Sequence, residues 1–169
     1  MKIVSSKQVY DCGLFRVTED RAADRDGFEI KRSIVRHAGS AVILVTERNS
    51  ILLVRQYRMP AEKHLWEIPA GRLDPGETPL KAAKRELTEE TGYHAKTWKK
   101  LASWWASPGF LSEKMTLFLA ADLMPGDAKP MDDERIETRW FKRKELDQMV
   151  RAGKLEDGKT LIAWSLWPR

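Results

Sequence analysis

The sequence predicts an α+β fold: a mixed β-sheet held between helices, with a small antiparallel sheet at the N-terminus. Three observations carry this. Apolar runs of strand length stand before, between and after stretches of helical spacing. The longest helical stretch, from about Thr78 to Thr91, follows a glycine- and proline-rich loop and is closed by Gly92. The first thirty-odd residues read only as short strands and turns.

In chain order, KIVSSKQVY, GLFRVTED and FEIKRSIV are the N-terminal strands, with ADRDG as the turn before the last. Phe28, Arg32 and Arg36 alternate on one strand face, where they extend the sheet or present an aromatic ring and two cations to a nucleotide. SAVILVTE and SILLVRQYR form a hairpin about Arg48, Asn49 and Ser50. The second strand ends in Arg55, Gln56, Tyr57 and Arg58; a guanidinium at a strand end suits either solvent or a phosphate. LWEIPAG is read as one strand running into the glycine loop. After the helix come WKKLASWWAS, the loop SPGFLSE, MTLFLAADL, an irregular acidic segment and ETRWF. A helix through Leu146, Met149 and Val150 ends at Gly153, and a last helix from Asp157 or Gly158 carries Leu161, Ile162, Trp164 and Leu166 toward the core. Residues 1–38 are taken as an N-terminal β appendage and 39–169 as the main domain.

Composition narrows the function classes. A chain of 169 residues with 42% hydrophobic content supports one core. It holds no apolar run of membrane-spanning length, and its start lacks an apolar leader, so the expectation is a cytoplasmic protein without membrane contact. Cys12 is the single cysteine, which excludes an internal disulfide and a cysteine-based zinc site. The net charge of +5 is spread along the chain, a pattern that favours small anions over nucleic acid.

The loop and helix GRLDPGETPLKAAKRELTEETGY concentrate the chemistry. At about 100° per residue, Glu86, Glu89 and Glu90 fall in one arc, where like charges repel. A hard divalent cation reverses that repulsion and can be shared with substrate phosphates. Leu80, Ala83 and Leu87 form the apolar side, so the helix is expected to have a buried stripe and an acidic edge.

The order glycine, five residues, glutamate, seven residues, Arg-Glu-Leu-x-Glu-Glu-x-Gly resembles the signature of the Nudix hydrolases, with only Tyr93 replacing a usual aliphatic residue. The run from Gly39 through Glu77, and Pro108 sixteen residues beyond Gly92, resemble the ADP-ribose pyrophosphatase branch. The resemblance implies an α/β/α sandwich and metal-dependent hydrolysis of ADP-ribose to AMP and ribose 5-phosphate. It implies Mg²⁺, with Mn²⁺ as an alternative, in two or three ions held by Ala70 through its carbonyl, Glu86, Glu89, Glu90 and Glu134. Glu134 is the implied base, with Asp132 as the alternative, while Arg85, Gly71, Glu77 and Gly92 support the loop and helix. Phe28, Arg32, Arg58, Pro108, Ser112 and Glu113 are the implied substrate contacts, with Trp66 a further stacking candidate. Members of this branch are homodimers whose N-terminal sheets help complete the partner's pocket. Competing readings are another sugar nucleotide such as GDP-mannose, a non-catalytic nucleotide-binding module, and hydrolysis of RNA ends.

Overall fold

The computed structural model describes residues 1–128 and 135–168, which form two compact units. The first comprises Met1–Ser40 and Ser103–Met115, so it takes in a segment that the sequence reading assigned to the main domain. Its sheet has β1 (Lys2–Asp11), β2 (Arg16–Ala23) and β3 (Glu29–Arg36) in the order β1-β2-β3, antiparallel throughout. The ADRDG turn forms because Asp24 Oδ1 accepts from the amides of Asp26 and Phe28, each at 3.0 Å, while Gly27 takes a positive φ of 85°. β1 is exposed along its whole length and leaves Ile3, Val4, Val9 and Tyr10 uncovered. The Ser107–Ser112 loop is anchored on β3: Val35 N donates to Phe110 O at 2.8 Å, and Ser112 N to Val35 O at 2.9 Å.

The second unit comprises Ala41–Ala102 and Thr116–Arg169. The seven-stranded sheet runs β10-β5-β4-β9-β8, with β6 added to β5 and β7 to β4. Its strands are β4 (Ser40–Glu47), β5 (Ser50–Arg58), β6 (Lys63–Glu67), β7 (Ala70–Arg72), β8 (Tyr93–Trp105), β9 (Lys114–Pro125) and β10 (Glu137–Lys142). The helices are α1 (Pro79–Thr91), α2 (Arg143–Arg151) and α3 (Gly158–Leu166). Ala41, Ile43 and Val45 of β4 join a core cluster with Ala82, Ala83 and Leu87 of α1. Val42 and Leu44, of opposite parity, are equally buried, so this strand is covered on both faces, as an α/β/α sandwich requires.

Three expectations change. LWEIPAG is two strands rather than one: β6 pairs with β5 and β7 with β4. Pro69 separates them because it has no N–H for a ladder, while its carbonyl accepts from Ile43 N at 2.8 Å. On α1, Leu80 is exposed and Ala82 takes its place in the core; Glu90 is buried beside them, so the acid is not confined to an edge. On α3, Thr160 and Ala163 are the buried residues, Leu166 is exposed, and the buried tryptophan at this end is Trp167.

Candidate active site

α1 begins and ends where its sequence dictates. Thr78 caps it by accepting from Lys81 N at 3.4 Å, and Pro79 occupies the first turn, where its missing N–H has no consequence. Gly92 ends it at φ 72°. A Cβ on Gly92 would lie 2.8 Å from Ala128 N, so the position needs glycine for both its conformation and its close approach.

Gly71 fixes how the helix meets the strand before it. A Cβ there would stand 1.9 Å from both Cδ and Oε1 of Glu86, so the carboxylate is seated directly against a backbone without a side chain. Glu90, only 5% exposed, accepts from Ala70 N through Oε2 at 3.2 Å. Two helix carboxylates one turn apart therefore meet adjacent residues of β7.

Arg85 organises the other acids. Its Nη1 donates to Glu86 Oε1 at 2.7 Å and Glu89 Oε2 at 2.9 Å, and its Nη2 donates to Glu77 Oε2 at 3.0 Å and Arg72 O at 2.9 Å. Glu77 Oε2 also accepts from Asp74 N at 3.1 Å, so one carboxylate ties the loop to the helix. The hydrogen bond with Glu77 is the largest influence on the guanidinium, and with Glu86 and Glu89 it outweighs burial and strengthens its hold on the proton. Reciprocally, Arg85 holds the Glu77 carboxyl below its usual range.

One guanidinium faces four carboxylates, Asp74, Glu77, Glu86 and Glu89. Hard oxygen donors clustered against a strand with no Cβ at Gly71 fit a hard divalent ion in kind. Among the described residues no group of three or more His, Cys, Asp or Glu side chains is set to hold a metal ion, and Glu86 and Glu89 share Arg85 as a cation. Glu134 and Asp132 lie outside the described residues.

Beside this cluster, Arg58 makes a bidentate pair with Glu67, Nε to Oε1 at 2.7 Å and Nη2 to Oε2 at 2.8 Å. Its charge is further held by the nearby Glu90. Glu67 is 1% exposed and also ion-paired with Lys159. Burial works hardest against its charge, yet Arg58 and Lys159 together keep its carboxyl below the usual range. Sequence reasoning missed Glu67, Lys159 and Thr160; the available signal was a lone carboxylate inside the apolar run LWEIPA. Trp66 is half-buried and packs edge-on against Phe141, with ring centroids 4.8 Å apart.

In the first unit, Arg32, Arg36, Trp105, Pro108 and Ser112 line a cleft of about 420 Å³. Asp20 steadies Arg36 through an ion pair, and Ser6 donates to Asp20 Oδ1 at 2.6 Å. Phe28 precedes β3 and is exposed. Ser112 Oγ accepts from His37 N at 3.0 Å, and Glu113 Oε1 accepts from Ser40 Oγ at 2.5 Å, so both side chains are engaged with the residues that lead into β4.

The NUDIX domain family matches residues 35–164. The chain is 38% identical to the methanol dehydrogenase activator of Bacillus methanolicus over 165 residues, 96% of this chain and 89% of that protein. It is 35% identical to the ADP-ribose pyrophosphatase of Bacillus subtilis (strain 168), with the same 96% and 89% coverage. A solved structure described as an ADP compounds hydrolase superimposes with a TM-score of 0.83 at 22% identity, covering 98% of this chain and 92% of the other, and shows the same fold.

Proposed function

The chain belongs to the Nudix hydrolases, and on that premise we propose that it cleaves the diphosphate of ADP-ribose to give AMP and ribose 5-phosphate. The observation that carries the proposal is the seating of Glu86 and Glu90 against Ala70 and Gly71, which concentrates buried anionic oxygen at one strand end. The full-length similarity to a protein named for this activity selects the substrate.

Nudix hydrolases generally use divalent metals such as Mg²⁺. Glu86, Glu89, Glu90, the Ala70 carbonyl and Glu134 are assigned to hold such ions. A bound divalent ion neutralises diphosphate charge and makes water nucleophilic near neutral pH. Arg85 fixes the carboxylate rotamers, and Glu77 fixes Arg85 to the loop. Arg58, held by Glu67, meets a phosphate, and Phe28, Arg32, Pro108, Ser112 and Glu113 select the nucleoside sugar. In the overall reaction one bond from phosphorus to the bridging oxygen breaks and one from phosphorus to water oxygen forms. Glu134, with Asp132 as the alternative, accepts the proton that water releases.

The exposed apolar residues of β1 support a homodimer built on this sheet. Among the described residues no helix is long and apolar enough to cross a membrane. We place the protein in the cytoplasm, acting on a small nucleotide rather than nucleic acid.

The test is product analysis by mass spectrometry in ¹⁸O-labelled water, with purified protein, Mg²⁺ and either ADP-ribose or GDP-mannose. AMP and ribose 5-phosphate from the first is the expected result, and the label identifies the attacked phosphorus. Faster cleavage of GDP-mannose would keep the chemistry and overturn the base assignment. No cleavage of either with Mg²⁺ or Mn²⁺ rejects the reading in favour of a binding module.

A further inference from the structure

α3 is tied to the strand that delivers the site by two consecutive side chains. Lys159 Nζ is ion-paired with Glu67 Oε2 and lies 2.9 Å from Asp157 Oδ1. Thr160 Oγ1 accepts from Ile68 N at 2.9 Å, and it donates to Asp157 Oδ2 at 2.5 Å. Asp157 caps the helix by accepting from Thr160 N at 3.0 Å. The segment from Glu67 to Ala70 is thus held at Glu67 by Lys159 and Arg58, at Ile68 by Thr160, and at Ala70 by Glu90.

We infer that Lys159 and Thr160 are positioning residues for two separable arms of the site: Lys159 acts through Glu67 on Arg58 and the substrate, and Thr160 acts through Ile68 on Ala70 and the metal ligands. The substrate arm rests on the proposed role of Arg58 at a phosphate. The metal arm needs only the carboxylate cluster.

The arms share Asp157, whose Oδ1 faces Lys159 and whose Oδ2 accepts from Thr160, and they differ in what they carry, a charge in one and a hydrogen bond to the backbone in the other. Glu67 and Asp157 are matched by Arg58 and Lys159, so the buried group is balanced. Lys159 shares Glu67 with Arg58, whose side chain, also near Glu90 and Asp157, is 40% exposed and open to an anion. Removing Lys159, itself 10% exposed, leaves Arg58 as the main counter-ion of a buried carboxylate and weakens its field outward. Thr160 carries no charge. Losing its hydroxyl leaves the buried Ile68 amide without an acceptor, and the segment must move to find one. That movement is felt at Ala70, two residues on, whose amide holds Glu90.

The experiment uses the full chain and four variants: Lys159→Met, Lys159→Arg, Thr160→Val and Thr160→Ser. Steady-state KM and kcat are measured with ADP-ribose at saturating Mg²⁺. Mn²⁺ affinity is measured by electron paramagnetic resonance without substrate, and thermal melts are recorded for all. Lys159→Met is expected to raise KM roughly tenfold, with kcat nearly unchanged and Mn²⁺ affinity unaltered. Thr160→Val is expected to weaken Mn²⁺ binding roughly tenfold, as loss of a support behind metal ligands does, with KM unchanged. Lys159→Arg and Thr160→Ser keep the charge and the hydroxyl and should restore each quantity. Lower melting temperatures with unchanged KM and Mn²⁺ affinity in both variants would reduce the contacts to fold stability and overturn the inference. Should the wild-type protein cut no ADP-ribose while Thr160→Val still loses Mn²⁺ affinity, the substrate reading falls and the metal arm stands.

Discussion

Gly71→Ala tests the seat of Glu86 with the smallest change available. The added methyl would stand 1.9 Å from Cδ and Oε1 of Glu86 and 2.4 Å from Oε2. Ordinary contact begins near 3.4 Å, so the carboxylate must withdraw by about 1.5 Å. It can do so, because the clash is with the end of a flexible side chain and Gly71 is not at positive φ. The fold should therefore survive, losing about 1–2 kcal/mol from a poorer rotamer and a weakened Arg85–Glu86 pair. Activity should not survive: misplacing a reacting group by about 1 Å lowers rates roughly 100-fold. The assay is release of AMP from ADP-ribose with Mg²⁺, beside a thermal melt, with Gly158→Ala as a control since nothing lies within 4 Å of its added methyl. Turnover within about threefold of wild type in a folded Gly71→Ala protein would refute the claim that this contact positions the site.

Other expectations follow from the same geometry. Glu86→Gln and Glu90→Gln keep shape but remove charge, so each should lower kcat at least about 100-fold while circular dichroism stays unchanged; near-normal rates with Mg²⁺ would remove both from the ligand set. Glu67→Gln should destabilise the fold by about 3 kcal/mol at pH 7, since it leaves Lys159 without its buried partner. The sign is set by the lowered folded-state value of Glu67: its contribution is complete above the unfolded value of 4.5 and is lost as pH falls through the folded one. The stability gap between variant and wild type should thus narrow below pH 4.5 in urea titrations, and a gap constant with pH would contradict the ion pair. Chelation with EDTA should abolish turnover, and added Mg²⁺ should restore it; full activity in excess chelator would overturn the metal assignment.

The parts of the site that were legible are those whose partners are close in sequence. Thr78, Pro79 and Gly92 mark the ends of α1 by local chemistry alone, and Arg85 reaches Glu86 and Glu89 within one turn. The Glu67–Lys159 pair was not legible, because its members are 92 residues apart and no period in the sequence links them. Proline broke LWEIPAG for a reason visible in the sequence, but the change of partner from β5 to β4 depends on the sheet order. The loop pattern could name Glu77, whereas the seat of Glu86 on Gly71 needed the backbone path.

The misreading of α1 bears directly on function. Helical periodicity set Leu80, Ala83 and Leu87 against an acidic edge, yet Glu90 points about 20° from Ala83 around the axis and is buried with it. Ala82, Ala83 and Leu87 are fully buried with Glu90 on the packed face, and Glu86 is seated on Gly71. Burying carboxylates is unfavourable unless they gain hydrogen bonds or opposite charge. Ala70 N bonds Glu90, Arg85 pairs with Glu86 and Glu89, and Arg58 lies near Glu90, a compensation to which a bound divalent ion would add. A helix that places acid on its packed face, beside a glycine that makes room for it, is thereby built to gain stability from a cation. On the proposed function, metal-dependent turnover and the burial of Glu86 and Glu90 beside Gly71 have one physical origin.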